Sequence, residues 1–183
     1  MVMLEFKTER LIVHEITPDD LEHIHRKNSI REVEEFNTIG IPKSFEETVK
    51  VCLPVLEDQA SLKRSKYGWV IKEKETQDFI GEIGLTLAAE RFRKGEIHYS
   101  LLPEFWGKGY AFESVKEVIK YAFTVLKLHR IEAGVATENI RSIKLLEKLG
   151  MVREGVGRKI LPIRGDWKDN YKYAILENDE RDY

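Results

Sequence analysis

Residues 96–126 read EIHYSLLPEFWGKGYAFESVKEVIKYAFTVL and carry a strand, a glycine turn and an amphipathic helix in one run. Trp106-Gly107-Lys108-Gly109-Tyr110-Ala111 falls where the helix should begin. The first turn of a helix has N–H groups without intrahelical acceptors, and the helix dipole adds partial positive charge there. Gly107 and Gly109 have no Cβ, so the backbone can bend sharply and approach a ligand, and Lys108 adds a positive charge nearby. Taken alone, the turn has two explanations: glycines that serve geometry only, or a cradle for a phosphate or diphosphate. Two nucleotide motifs are excluded. The P-loop needs Gly-Lys-Ser/Thr, and here Gly109-Tyr110 follows Lys108. The dinucleotide fingerprint needs a third glycine where this chain has Phe112.

Outward from the turn, Ala111, Val115, Val118, Ile119, Ala122, Phe123 and Leu126 recur every three or four residues and predict one apolar helix face. Residues 130–136 read as a strand, and residues 139–149 as a helix ended by Gly150. Residues 152–163 and 167–176 read as a hairpin. Upstream, 10–16 is a strand, and Thr17-Pro18-Asp19-Asp20 opens a helix on which Leu21, Ile24 and His25 share a face. Ser44 and Glu47 form a capping box for a second helix, which Pro54 should kink or break. Strands over 67–74 and 79–87 meet at a turn near Thr76-Gln77-Asp78. Strands that occur singly around helices and then as hairpins predict one α/β domain over residues 1–183, a mixed sheet with helices on its faces.

The 183 residues carry 42% hydrophobic and 34% charged side chains, a balance that supports a substantial core rather than disorder. The net charge of −2 gives no general attraction to nucleic acid or to an anionic membrane. Basic runs such as Lys63-Arg64-Ser65-Lys66 and Arg91-Phe92-Arg93-Lys94 read as solvated charge. One cysteine, Cys52, excludes an intrachain disulfide and reads as buried packing. His23 and His25 diverge on a helix, so no metal is expected. The start of the chain lacks a leader pattern, and no stretch approaches the ~20 apolar residues of a membrane span. The expectation is a cytoplasmic protein.

The turn and its neighbours resemble the GNAT superfamily of N-acetyltransferases. The superfamily pattern Gln/Arg-x-x-Gly-x-Gly/Ala maps onto Trp106-x-x-Gly109-x-Ala111, departing at its first position. The Trp-Gly-x-Gly-Tyr-Ala version is similar to the branch with ribosomal-protein N-terminal alanine/serine acetyltransferases. Asn139-Ile140-Arg141-Ser142 and Leu145 to Met151 resemble that branch's Asn-x-x-Ser helix. Thr8 to Val13 and Gly165 to Asp169 resemble its first and last strands. The resemblance covers nearly the entire chain.

It implies about seven mostly antiparallel strands with splayed parallel central strands. Acetyl-CoA would lie in the V between residues 96–101 and 130–136, bonded near Ser100 and Leu101. Its diphosphate would sit on Trp106, Gly107, Lys108, Gly109, Tyr110 and Ala111, and Asn139 and Ser142 would face its arm. Asn139 is also a good N-cap without any ligand. Ser142 would support the departing thiolate, in a direct transfer without an acetyl-enzyme.

The tyrosine that many members use is replaced by Leu146, and the branch's glutamate has no counterpart in Arg158-Lys159-Ile160-Leu161. Candidate bases are therefore Glu96 and His98, which share a strand face, and Glu82. His98 titrates near ~6.5 when unperturbed. Asp169 and Tyr171 would line the acceptor mouth, and Glu32, Glu34 and Glu35 would form an acidic rim or a solvated helix face. The resemblance puts a protein N-terminal amine first as acceptor. A small amine (polyamine, aminoglycoside or amino-acid derivative) and a non-catalytic acetyl-CoA-binding module are the alternatives. Such a chain would work as a monomer or homodimer.

Overall fold

The computed structural model describes residues 4–181; the first three residues of the start read for a leader lie outside them. Among the described residues eight strands form one sheet: β1 (Glu5–Lys7), β2 (Leu11–Glu15), β3 (Lys66–Glu73), β4 (Phe79–Leu87), β5 (Lys94–Leu101), β6 (Arg130–Ala136), β7 (Val152–Ile163) and β8 (Asp166–Leu176). Their order across the sheet is β1-β2-β3-β4-β5-β6-β8-β7. Four α-helices complete the described fold: α1 (Leu21–Asn28), α2 (Phe45–Asp58), α3 (Tyr110–Thr124) and α4 (Ile140–Lys148). The mixed α/β architecture holds as expected, with one strand more than the sequence suggests.

Every neighbouring pair in the sheet is antiparallel except β5 and β6. Those two pair only from Lys94↔Arg130 to Glu96↔Glu132. Beyond that register each strand leaves with its outer neighbour. β5 stays on β4 as far as Gly81↔Leu101, and β6 stays on β8 as far as Ala136↔Asn170. The sheet thus opens into a V between the ends of β5 and β6.

Two apolar layers hold the strands. On one face α3 and α4 cover Val13, Trp69, Ile71, Ile83, Ile97 and Ile131. The helical period read from the sequence is borne out: Val115, Val118, Ile119 and Ala122 are all at most 1% exposed. Each of the larger three contributes on the order of 1.5–3 kcal/mol by burial, and a charge at Val118 would break the layer. On the other face α1 and α2 bury Ile16, Leu21, Ile24, Cys52, Val70 and Phe79. Burial pushes the Cys52 thiol up to about 12, so it stays protonated and packs as an apolar group.

Two local expectations need correction. α2 runs through Pro54, which lies on the exposed side of the helix, where the carbonyl deprived of its donor is open to water. Glu47 Oε2 accepts from Lys43 N–H at 2.7 Å, one residue ahead of the expected box at Ser44. Before α1, the Thr17–Asp20 signal forms a short 3₁₀ turn in which the Asp20 carboxylate accepts from Thr17 N–H and O–H, at 3.0 and 2.8 Å.

Candidate active site

The glycine turn is held from behind. Gly107 and Gly109 have φ of 73° and 85°, a region that disfavours any side chain. Arg10 reaches across from the N-terminal strands, donating to the Lys108 carbonyl at 3.0 Å and pairing with Glu113 at 2.7 Å. Its guanidinium lies 4.6 Å from the centre of the Tyr110 ring, and the Tyr110 hydroxyl donates to Glu73 at 2.7 Å. Trp106 Nε1 donates to the Leu101 carbonyl at 2.8 Å, tying the turn to the end of β5. These bonds fix the loop while a Cβ placed at Gly107 would meet nothing within 4 Å.

In front of the turn, the V between β5 and β6 widens into a cleft of about 440 Å³. Ser100, Leu101, Trp106, Gly107, Gly109, Tyr110, Ala111, Asn139 and Ser142 line it. Lys108 does not line the cleft; its ammonium lies 5.5 Å from the centre of the Phe105 ring. Asn139 caps α4 by accepting the Ser142 N–H at 3.2 Å, the role its N-cap position predicts.

Four polar lining residues escape the sequence reading. Tyr99 places its hydroxyl 2.7 Å from Ser142 Oγ, and burial pushes its phenol up to about 12 against the opposing effect of that bond. It alternates with Ile97 and Leu101, so its strand position reads as core. Arg141, Lys144 and Lys148 put three cations on the cleft side of α4. Their spacing of three and four was a legible sign of a common helix face. Arg141 stacks at 4.1 Å on the Trp106 ring and Lys148 at 4.5 Å on Phe112, so two of the three are anchored by aromatic faces. A cleft with a glycine-bent helix start at one end and cations along one wall suits an elongated ligand bearing phosphates.

Glu82, Glu96 and His98 do not line the cleft. They flank Ser100 on the sheet face beneath α1 and α2, in the register Glu82↔Ser100, Gly84↔His98 and Thr86↔Glu96. The His98 ring lies flat across Gly84, where a Cβ would collide with the ring edge. Solvent reaches the ring, yet the protein mass around it lowers its pKa, with Glu82 and Glu96 opposing. Glu82 accepts from the buried Lys27 ammonium at 3.1 Å.

Asp169 and Tyr171 are also outside the cleft. Asp169 accepts a hairpin N–H from Lys159 at 2.9 Å, and Tyr171 lies under Arg153 at 4.6 Å. The three glutamates make no common rim, because residues 31–36 form turns and send consecutive side chains in different directions. Glu32 lines the cleft, Glu34 is buried, and Glu35 is exposed 3.9 Å from Arg141. His23 stacks on Phe79 and His25 bonds Thr48 at 2.8 Å. Among the described residues no cluster of three metal-ligating side chains occurs, and no helix is long and apolar enough to cross a membrane.

Known proteins share this geometry. Residues 10–152 match the acetyltransferase (GNAT) domain model. The uncharacterized N-acetyltransferase YoaA of Bacillus subtilis (strain 168) is 35% identical, over 93% of this chain and 96% of its own length. The crystal structure of spermidine N-acetyltransferase from Vibrio cholerae, in complex with CoA and spermine, superposes with a TM-score of 0.83 at 26% identity, covering 94% of this chain and 98% of that one. The [ribosomal protein uS5]-alanine N-acetyltransferase of Escherichia coli (strain K12) is 36% identical over 81 residues, 44% of this chain and 42% of its own. A family model that spans most of the chain, on a sheet opened at its parallel pair, leaves one conclusion: this chain belongs to the GNAT acetyltransferases and is an acetyl-CoA-dependent N-acyltransferase.

Proposed function

We propose that the chain transfers acetyl from acetyl-CoA to a primary amine by direct attack, with the donor in the β5/β6 cleft. The observation that carries this reading is the parting of β5 from β6 after Glu96↔Glu132, with the Tyr99–Ser142 hydroxyl pair inside the opening. Bound acetyl-CoA supplies an activated acyl group and a thiolate leaving group. The cleft fits it: the glycine turn and the first N–H groups of α3 would hold the diphosphate, with Arg141, Lys144 and Lys148 along the phosphate-bearing end. Ser100 and Leu101 would bond the arm through the unpaired edge of β5, and Asn139 would hold Ser142 in place.

Two proton transfers remain. Tyr99 stays protonated at neutral pH, since burial raises its pKa. It would donate to Ser142, which would pass a proton to the departing sulfur. His98 is neutral at the same pH because its pKa is lowered. It would accept the proton of the incoming ammonium, directly or through water, on the face next to Ser100. Glu82 and Glu96 beside it favour approach of a cation.

A protein N-terminal amine is the first acceptor reading, supported by the Trp-Gly-x-Gly-Tyr-Ala turn, the Asn139–Ser142 segment and the uS5-alanine relative. The likeness to the spermidine enzyme along nearly the whole chain favours a second, a small polyamine. Free-thiol release from acetyl-CoA against peptide N-termini and small amines, with intact-mass analysis, tests both. Amine-dependent release identifies the acceptor; acetyl-CoA binding with silence across the panel would instead fit the non-catalytic module.

A further inference from the structure

Arg10 lies outside the acyl-donor cleft, and so do Thr8 and Glu113, which hold it. It stands at the entry to β2, 98 residues before the turn residue that it grips. Glu113, in the first turn of α3, fixes the guanidinium: Nε and Nη2 both face its Oε2, at 2.8 and 2.7 Å. The other carboxylate oxygen accepts the Arg10 N–H at 3.0 Å and the Thr8 hydroxyl. The Arg10 carbonyl accepts from Lys74 N–H at 2.8 Å, so the backbone of Arg10 is held on both sides. Nη1 is left free of the carboxylate and donates to the Lys108 carbonyl at 3.0 Å.

A trans peptide is planar, and its C=O and N–H point in opposite directions. Among the described residues no peptide bond is cis. The Lys108 carbonyl shares its peptide with the Gly109 N–H, so a carbonyl drawn back to Arg10 turns that N–H the other way. Gly109 lines the cleft and Arg10 does not, so the other way is into the cleft. Gly109 has a φ of 85°, and a residue without Cβ can swing its peptide plane at low cost. A hold from outside the turn is what selects one orientation. Arg10 also offsets a charge. Glu113 stands where the helix dipole favours an anion, and an unpaired carboxylate there would oppose a diphosphate. Burial works against its ionisation, yet the bonds from Thr8 and Arg10 prevail and hold its carboxyl below the usual range.

We propose that Arg10 is a positioning residue for the acyl donor: it draws the Lys108 carbonyl back so that the Gly109 N–H faces the donor's diphosphate. The inference rests on the reading of the glycine turn as the diphosphate cradle. Arg10 acts through this one peptide, so its loss belongs in donor binding and not in the chemical step. A lysine at position 10 keeps the charge. It does not keep the planar fork that bonds a carboxylate on one edge and a carbonyl on the other.

Titration calorimetry with CoA and steady-state kinetics with acetyl-CoA, on the whole chain, test this. Arg10→Gln should weaken CoA binding roughly tenfold and raise the KM for acetyl-CoA by a similar factor, with kcat held within about twofold. CoA should shift the Gly109 amide proton resonance downfield in the wild type, and most of that shift should vanish in Arg10→Gln. Arg10→Lys should restore only part of the affinity; it keeps an ion pair for Glu113 and covers the case of an Arg10→Gln chain that does not fold. Adding Glu113→Gln to Arg10→Gln removes the unpaired carboxylate, and affinity should stay low. A return to wild-type affinity in that double variant would reduce Arg10 to charge neutralisation and overturn the proposal. Undiminished CoA affinity in both Arg10 variants overturns it too, while the donor reading stands. A wild-type chain without affinity for CoA overturns the two together.

Discussion

The Tyr99 hydroxyl and Ser142 Oγ stand 2.7 Å apart, joining β5 to the first turn of α4 across the opening in the sheet. Strand and helix come from segments 43 residues apart, and this is the bond that spans the cleft where the acyl donor would lie. If Ser142 passes the leaving-group proton, Ser142→Ala should lower kcat roughly a hundredfold with little change in the KM for acetyl-CoA. Tyr99→Phe should cost less, since Ser142 would remain but lose the donor that replenishes it. Steady-state kinetics separate the two. A Ser142→Ala enzyme with undiminished kcat would remove the pair from the mechanism.

Affinity for the donor should reside in the cations of α4 and in the turn. Arg141→Ala and Lys144→Ala are each expected to raise the KM for acetyl-CoA several-fold, with a shallower dependence on salt, because each removes one phosphate contact. Gly109 has a positive φ, so Gly109→Glu sets a carboxylate and a left-handed strain of about 1–2 kcal/mol against the same site. Its Cβ would also lie 3.3 Å from Arg10 Nη2. Calorimetry with CoA should register a loss of binding larger than for either cation.

His98 should define the acidic limb of the kcat/KM profile. The protein packed around the ring lowers its folded pKa from an ordinary value of 6.5, although solvent still reaches it. The base therefore remains neutral and active below that ordinary value, and activity falls only as pH drops through the lowered one. Glu96 raises the His98 pKa, so Glu96→Gln should move the limb to still lower pH. His98→Gln should remove the limb and slow the reaction roughly a hundredfold. A limb unchanged in His98→Gln would assign the base elsewhere.

The parts of this fold that were legible are those whose signal is local. The three- and four-residue period of α3, the glycines at 107 and 109 and the cap at Asn139 each express their own backbone geometry, and all stand where the pattern puts them. What escaped depends on contacts between distant segments. Tyr99 looks like a core residue until α4 brings Ser142 to it. Glu34 looks like part of a solvated acidic run until residues 31–36 turn it inward. Pro54 signals a break that does not happen, because a helix can carry proline on its wet side. Alternation alone puts the base candidates Glu96 and His98 on the Ser100 face, and the register adds Glu82 to them, but none of the three lines the cleft.

Glu34 also predicts how stability changes with pH. Its folded pKa is raised from 4.5 to about 7, mainly by burial, so the folded chain holds a proton that the unfolded chain gives up. The neutral carboxyl's contribution is therefore fully present below about pH 4.5 and is lost as pH rises through about 7. At about 1.4 kcal/mol per pH unit, the loss reaches on the order of 3 kcal/mol above pH 8. Lys27 and Arg164 nearby keep it from being larger. Glu34→Gln keeps the shape and removes the ionisation. Denaturant melts should find the variant close to wild type near pH 5 and more stable near pH 8. Equal stability of the two proteins at both pH values would mean that the Glu34 carboxyl is solvated in solution.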